Sequence, residues 1–227
     1  MSDPPNLDCE NELASQGFDL IAGVDEVGRG ALAGPVVAGA VILPRLTVLP
    51  WFQLVRDSKE LNSRKRQSLF DCISREALAI GIGIVLPQTI DSINILKATR
   101  VAMMEAVQKL PKQPDYLLID RLGLTQCPIP QTGITRGDKL CLSIACASII
   151  AKVTRDRIME GFDKVYPGYG FAQHKGYGTT THISCLQKLG ASPIHRLYFA
   201  PVRNVIAIQN STSSRRNDAI QTEFPLP

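Results

Sequence analysis

Apolar residues fall in runs separated by short polar breaks. Residues 18–25 and 35–43 form two such runs around an acidic, glycine-bearing turn, Asp25-Glu26-Val27-Gly28-Arg29-Gly30. Their length and Val/Ala content predict two buried strands, because short apolar runs bounded by Gly and Pro read as strands. Residues 78–86 alternate well enough for a third strand, and 115–120 form a short apolar run ending on Asp120. Helical spacing predicts helices over 63–77, behind an Asn62 or Ser63 cap, and over 91–110, where Ile93, Leu96, Val101, Met104, Val107 and Leu110 share a face. Further helices are predicted over 140–161 and 179–189. In the first of these, Ala145, Cys146, Ala147, Ser148 and Ala151 are small enough for close approach to a sheet. Residues 1–16 read as a flexible polar leader, 17–207 as one α/β domain and 208–227 as a polar, disordered tail.

Composition narrows the class. The 227 residues are 44% hydrophobic and 20% charged, as in ordinary globular proteins, so the core is sizeable. The formal charge of +4 permits a nucleic-acid partner without requiring one. Six cysteines are scattered without a Cys-x-x-Cys pair, and the N-terminus carries no apolar signal segment. Reduced thiols, no membrane partner and a cytoplasmic location are the expectation.

The acids carry the chemistry. A carboxylate beside a buried strand requires a cation, a metal or several hydrogen bonds. Asp25 and Asp120 each close an apolar run, at the strand ends where open α/β sheets place ligands. Asp138 precedes the 140–161 helix, where Asp is also a favoured N-cap. Three such positions suggest a site for a hard cation, although Asp25 and Glu26 alone are equally compatible with a solvated turn. A dinucleotide fingerprint is disfavoured, since Pro35 and a β-rich run follow the glycines instead of a helix. The stretch from Tyr166 mixes aromatic, glycine and basic residues, a blend suited to sugars and phosphates or to a packed loop. His174, His182, Cys185 and His195 lack the paired spacing of a zinc site.

The order and spelling of these segments resemble the type 2 ribonuclease H (ribonuclease HII) family. The resemblance rests on Gly23-Val24-Asp25-Glu26-Val27-Gly28-Arg29-Gly30, Asp57-Ser58-Lys59, Leu118-Ile119-Asp120, Gly137-Asp138, the 147–156 stretch ASIIAKVTRD and the 170–178 stretch GFAQHKGYG. It implies a ribonuclease H-like fold, with a mixed five-stranded sheet, helices on both faces and a C-terminal helical extension. It further implies that Asp25, Glu26, Asp120 and Asp138 hold Mg²⁺ or Mn²⁺, and that Gly28, Arg29, Gly30 and Tyr177 read a ribonucleotide and its junction with DNA. The implied partners are RNA–DNA hybrids and duplex DNA containing ribonucleotides, cut by a monomer. Arg56, Lys59, Lys152, Lys175 and Arg196 are candidate phosphate contacts. Two residues depart from the family's usual spelling: Arg121 stands where glycine is common, and Lys139 where serine is frequent. A hybrid-binding protein with weak catalysis is the competing expectation.

Overall fold

The computed structural model describes residues 4–44 and 49–221, with side chains described as far as residue 211. The chain divides into two compact units, Met1–Arg29 with Pro35–Ile158, and Gly30–Gly34 with Met159–Pro227.

The first unit begins with helix α1 (Asp8–Ser15), followed by β1 (Ile21–Val27), β2 (Val36–Ile42), a 3-10 turn (Pro50–Leu54), α2 (Ser63–Glu76) and β3 (Ala79–Val85). Helices α3 (Pro87–Ile93) and α4 (Ile95–Gln108) lead to β4 (Tyr116–Asp120), β5 (Gln131–Ile134), α5 (Gly137–Leu140) and α6 (Leu142–Val165). The strands order as β3-β2-β1-β4-β5. β1 is antiparallel to β2, and β2 to β3, whereas β4 returns through α3 and α4 to run parallel to β1. The register pairs Val24 with Ile119, so one step further places Asp25 beside Asp120 at the ends of neighbouring strands. Residues paired in this way point to the same face.

That face is covered by α6. Asp25 pairs with Gly39, and a Cβ on Gly39 would lie 2.5 Å from the Ala147 carbonyl oxygen, so only glycine admits the helix this closely. Ala145, Cys146, Ala147 and Ala151 are fully buried in this contact, as their size predicted. Ala38, one residue earlier and pointing the other way, pairs with Gly83, which faces the Ala102 backbone of α4. The sheet therefore has a helix on each side.

Several boundaries differ from expectation. The 1–16 leader contains α1, which buries Leu13 and Glu10. Glu10 Oε1 accepts the Ser143 N–H, while Asn6 bonds through its main chain to Leu140 and Leu142. The 91–110 helix is broken at Asn94, whose φ of 68° ends α3 and whose Oδ1 caps α4 at Leu96 and Lys97. β5 was not predicted, because its half-exposed residues Gln131-Thr132-Gly133-Ile134 lack any apolar alternation. All six cysteines are free.

The second unit holds the end of α6, then α7 (Phe171–His174), α8 (Thr180–Leu189) and α9 (Ala200–Gln221). Thr179 caps α8 by accepting the His182 N–H. Ala33, Met159, Tyr169, Phe171 and Ile194 form one apolar cluster, and Leu32, Leu186, Val202 and Val205 another. Helix α9 continues past residue 208, where polarity predicted a tail. No glycine or proline interrupts residues 202–221. No helix among the described residues is long and apolar enough to cross a membrane.

Candidate active site

The carboxylates named from the sequence all lie in the first unit, where Asp25, Glu26 and Asp138 each feel the charge of Asp120. Asp25, one step past the last residue that pairs with β4, shares a face with Asp120 at the end of β4, and Gly137 N–H donates to Asp120 Oδ1 at 2.8 Å, tying the α5 turn to β4. Asp138 lies in that turn and is 7% exposed. It does not cap the long helix. The cap position of α5 is Arg136, and Cys141 separates α5 from α6. Asp25 Oδ1 accepts the Glu26 N–H at 2.7 Å, which links the two consecutive acids within β1.

Burial and mutual repulsion dominate the electrostatics. Asp25 is pushed well above the usual carboxylate range by desolvation, then by Glu26 and Asp120, against a hydrogen bond from Ser148 that favours the charge. Desolvation also raises Glu26, opposed by Arg29, whose guanidinium lies 3.1 Å from Glu26 Oε1. Asp138 is raised by burial and by Asp57 and Asp120, with Lys59 and Lys139 pulling the other way. Asp25, Glu26 and Asp138 are thus each raised by burial and by the neighbouring Asp120 carboxylate, a pattern common at functional sites.

Three neighbours escaped a role at the sequence level. Asp57 is buried and sits beside Asp138, its Oδ1 accepting the Lys59 N–H. Ser58 and Ser148 hydroxyls lie 3.0 Å apart, and Ser148 in turn bonds Asp25. The Asp57-Ser58-Lys59 spelling was the available signal, but only folding shows what it faces. Lys139 does not crowd the site: its Nζ is engaged by Glu60 at 2.9 Å and Asp57 at 3.5 Å. Arg121 is exposed with φ 62°, a conformation that explains why a glycine would be common there.

The glycine turn straddles the unit boundary. Gly28 has φ 93°, and a Cβ there would lie 2.2 Å from Nε of the buried Arg155, which itself donates to the Pro35 carbonyl. Gly30 has no such constraint, since a Cβ there meets nothing within 4 Å. Tyr177 and Gly30 both belong to the second unit, where Leu32 N–H donates to Gly176 O at 2.8 Å.

The basic candidates separate. Lys59 is well exposed and reaches to 4.0 Å from Asp138. Arg56 folds back on the Gln53 and Val55 carbonyls, Lys152 pairs with Asp156, and Lys175 pairs with Glu160. Arg196 is corrected from phosphate contact to scaffold: it is fully buried, and its guanidinium bonds the Gly34 carbonyl, so it faces no solvent.

Among the described residues, no group of three or more His, Cys, Asp or Glu side chains is placed so as to hold a metal ion. The donor chemistry nevertheless fits a hard divalent cation. All four side chains offer oxygen, they repel one another, and Glu26 Oε2 is buried with no hydrogen-bond partner. Softer metals have no claim here, because no thiolate or imidazole joins the four acids.

Known proteins resemble this chain over most of its length. A sequence profile of the ribonuclease HII family matches residues 22–202. A ribonuclease HII from Dehalococcoides mccartyi strain BAV1 is 55% identical over 202 residues, covering 89% of this chain and 95% of that protein. One from Geobacter sulfurreducens is 54% identical over 200 residues, covering 88% and 91%. Among solved structures, the ribonuclease H2 of Pyrococcus horikoshii OT3 superposes with a TM-score of 0.70 at 24% identity, covering 82% of this chain and 97% of that one. A Bst ribonuclease HIII solved in complex with Mn²⁺ superposes at 0.65 with 19% identity, covering 86% and 72%. At these identities the superpositions establish the ribonuclease H-like fold.

Proposed function

The chain belongs to the ribonuclease HII family, and from that membership we propose that it is a divalent-metal-dependent endonuclease acting on ribonucleotides within duplexes. Its substrates are the RNA strand of RNA–DNA hybrids and single ribonucleotides embedded in duplex DNA. Cleavage falls on the 5′ side of the ribonucleotide and leaves 3′-hydroxyl and 5′-phosphate ends, the chemistry needed for ribonucleotide removal and primer processing.

The observation that carries this reading is the register of β1 against β4, which sets Asp25 beside Asp120 one step past the last paired residues, with Glu26 and Asp138 raising the same local negative potential. These four residues would hold Mg²⁺ or Mn²⁺, which when bound supplies an activated water and neutralises the leaving 3′ oxygen. Ser148 keeps Asp25 oriented, and the Gly137 N–H does the same for Asp120. Arg29 holds Glu26 by one oxygen and leaves the other turned away from hydrogen bonds. Gly30 supports recognition of the ribose. Its own packing does not require a glycine, and a missing side chain lets backbone groups approach a 2′-hydroxyl, the group that separates RNA from DNA. Tyr177 is assigned to the neighbouring deoxyribose. The competing reading, a binder with little catalysis, is disfavoured by the presence of all four acids.

The test is incubation with a duplex carrying one ribonucleotide, with Mg²⁺ or Mn²⁺ and with chelator, beside an all-DNA duplex. Metal-dependent cutting confined to the ribonucleotide is expected. Cutting of the all-DNA control, or undiminished cutting in chelator, refutes the proposal.

A further inference from the structure

The three histidines of the chain gather in the second unit, apart from any role yet given to them. His182 and His195 are buried, with Nε2 to Nε2 at 3.1 Å, and the His174 ring stacks on His182 with centroids 4.2 Å apart. Backbone groups at both ends dictate where each proton sits. The Ser192 N–H can only donate, and it reaches His195 Nδ1 at 2.9 Å, so that nitrogen accepts. His195 Nε2 therefore carries the proton and donates to His182 Nε2. His182 Nδ1 must then be protonated, and its partner at 2.9 Å is the Tyr177 carbonyl, which can only accept. Every link is satisfied in one direction and in no other.

His174 adds the other end of the same dipeptide. Its Nδ1 accepts the Gly176 N–H at 3.2 Å, while its Nε2 donates to the Tyr169 carbonyl at 2.8 Å. The Gly176-Tyr177 main chain is thus held at its leading N–H by one imidazole and at its trailing carbonyl by another. A loop needing only to be packed would not require two tautomers fixed in a run from Ser192 to Tyr177 and a third at Gly176.

We propose that His182 and His195 are positioning residues that aim Tyr177 by a one-way hydrogen-bond relay, and so set the preference for a ribonucleotide followed by a deoxyribonucleotide. The inference rests on the assignment of Tyr177 to that junction. Burial holds His195 down to about 4, so the relay is in its neutral, conducting form at ordinary pH.

The readout is the ratio of kcat/KM on a single-ribonucleotide duplex to that on a uniform RNA–DNA hybrid. His182→Phe keeps the ring packing and removes both bonds, and it should lower the ratio about tenfold, as expected for losing a buried positioning bond. His182→Asn places an amide donor near the former Nδ1 and should recover most of the ratio, whereas His182→Gln, which reaches only toward His195, should not. In a Tyr177→Ala background His182→Phe should change the ratio no further. An unchanged ratio in His182→Phe, or equal losses in the Asn and Gln variants, overturns the inference. If wild type cuts neither substrate, the function itself fails, a distinct outcome. Should the variants not fold, ¹⁵N NMR of wild-type imidazoles decides alone: protons on His195 Nε2 and His182 Nδ1 support the relay, and the opposite tautomers overturn it.

Discussion

Gly28 and Gly30 stand two residues apart in one turn, yet the structure asks different things of them. Alanine at 28 would adopt a left-handed φ of 93°, costing about 1–2 kcal/mol for an L-residue. Its Cβ would also fall 2.2 Å from Arg155 Nε, in a buried contact that cannot give freely, adding about 1–3 kcal/mol of overpacking. Gly28→Ala should therefore lose about 2–5 kcal/mol in a urea titration. Gly30→Ala meets nothing within 4 Å and should stay within about 0.5 kcal/mol of wild type. Its new methyl instead enters the space assigned to the ribose. A displacement of about 1 Å at a reacting group can cost on the order of a hundredfold, so kcat/KM on a single-ribonucleotide duplex should fall by roughly that much. The pair separates folding from recognition. If Gly28→Ala unfolds at the wild-type urea concentration, or Gly30→Ala cuts as wild type does, the account of this turn is wrong.

Asp120→Asn removes charge from the acid cluster while its remaining oxygen can still accept the Gly137 N–H; kcat should drop on the order of a hundredfold or more with KM little changed, and unchanged turnover would remove Asp120 from the site. His195, lowered to about 4 by burial first and by His182 second, binds protons more readily unfolded than folded. Its stabilising share is present above its ordinary pKa and is lost as pH falls toward about 4, amounting to about 2 kcal/mol between roughly pH 7.5 and pH 5. The raised acids Asp25, Glu26 and Asp138 push the other way, so the measure is wild type minus His195→Asn in urea titrations, and parallel pH curves would contradict the shift. Lys59→Ala should weaken duplex binding and reduce the slope of log K against log salt by about one, as for loss of a single phosphate contact; an unaltered slope would rule that contact out.

The sheet was largely readable because β1 and β2 are buried on both faces, and such strands announce themselves as unbroken apolar runs. The end of β4 was readable too, since Asp120 closes its run, whereas β1 continues past Asp25 to Val27 because its pairing with β2 persists through both acids. Asn62 was visible as a cap because its side chain does what Asn does at helix starts, accepting the Lys65 N–H. Asn94 hid its break, because a positive φ leaves no mark on apolar periodicity. β5 was silent for want of buried side chains. Ser148 looked like one small residue among several facing the sheet, and its bond to Asp25 exists only once α6 is seated. Arg196 was misjudged for the opposite reason: a cation near an aromatic loop suggests phosphate, but its planar fork serves equally well to clasp a buried carbonyl.

The first helix has an effect out of proportion to its size. Asn6 pairs with the chain on both sides of Cys141, and Glu10 receives the amide at the start of α6, so the eight-residue α1 is stitched to the hinge that bears Asp138. A protease nick or a bulky fusion at that end would pull on Asp138, proposed as a metal-holding acid, some 130 positions away. Activity of this enzyme should thus be unusually sensitive to how its amino terminus is dressed.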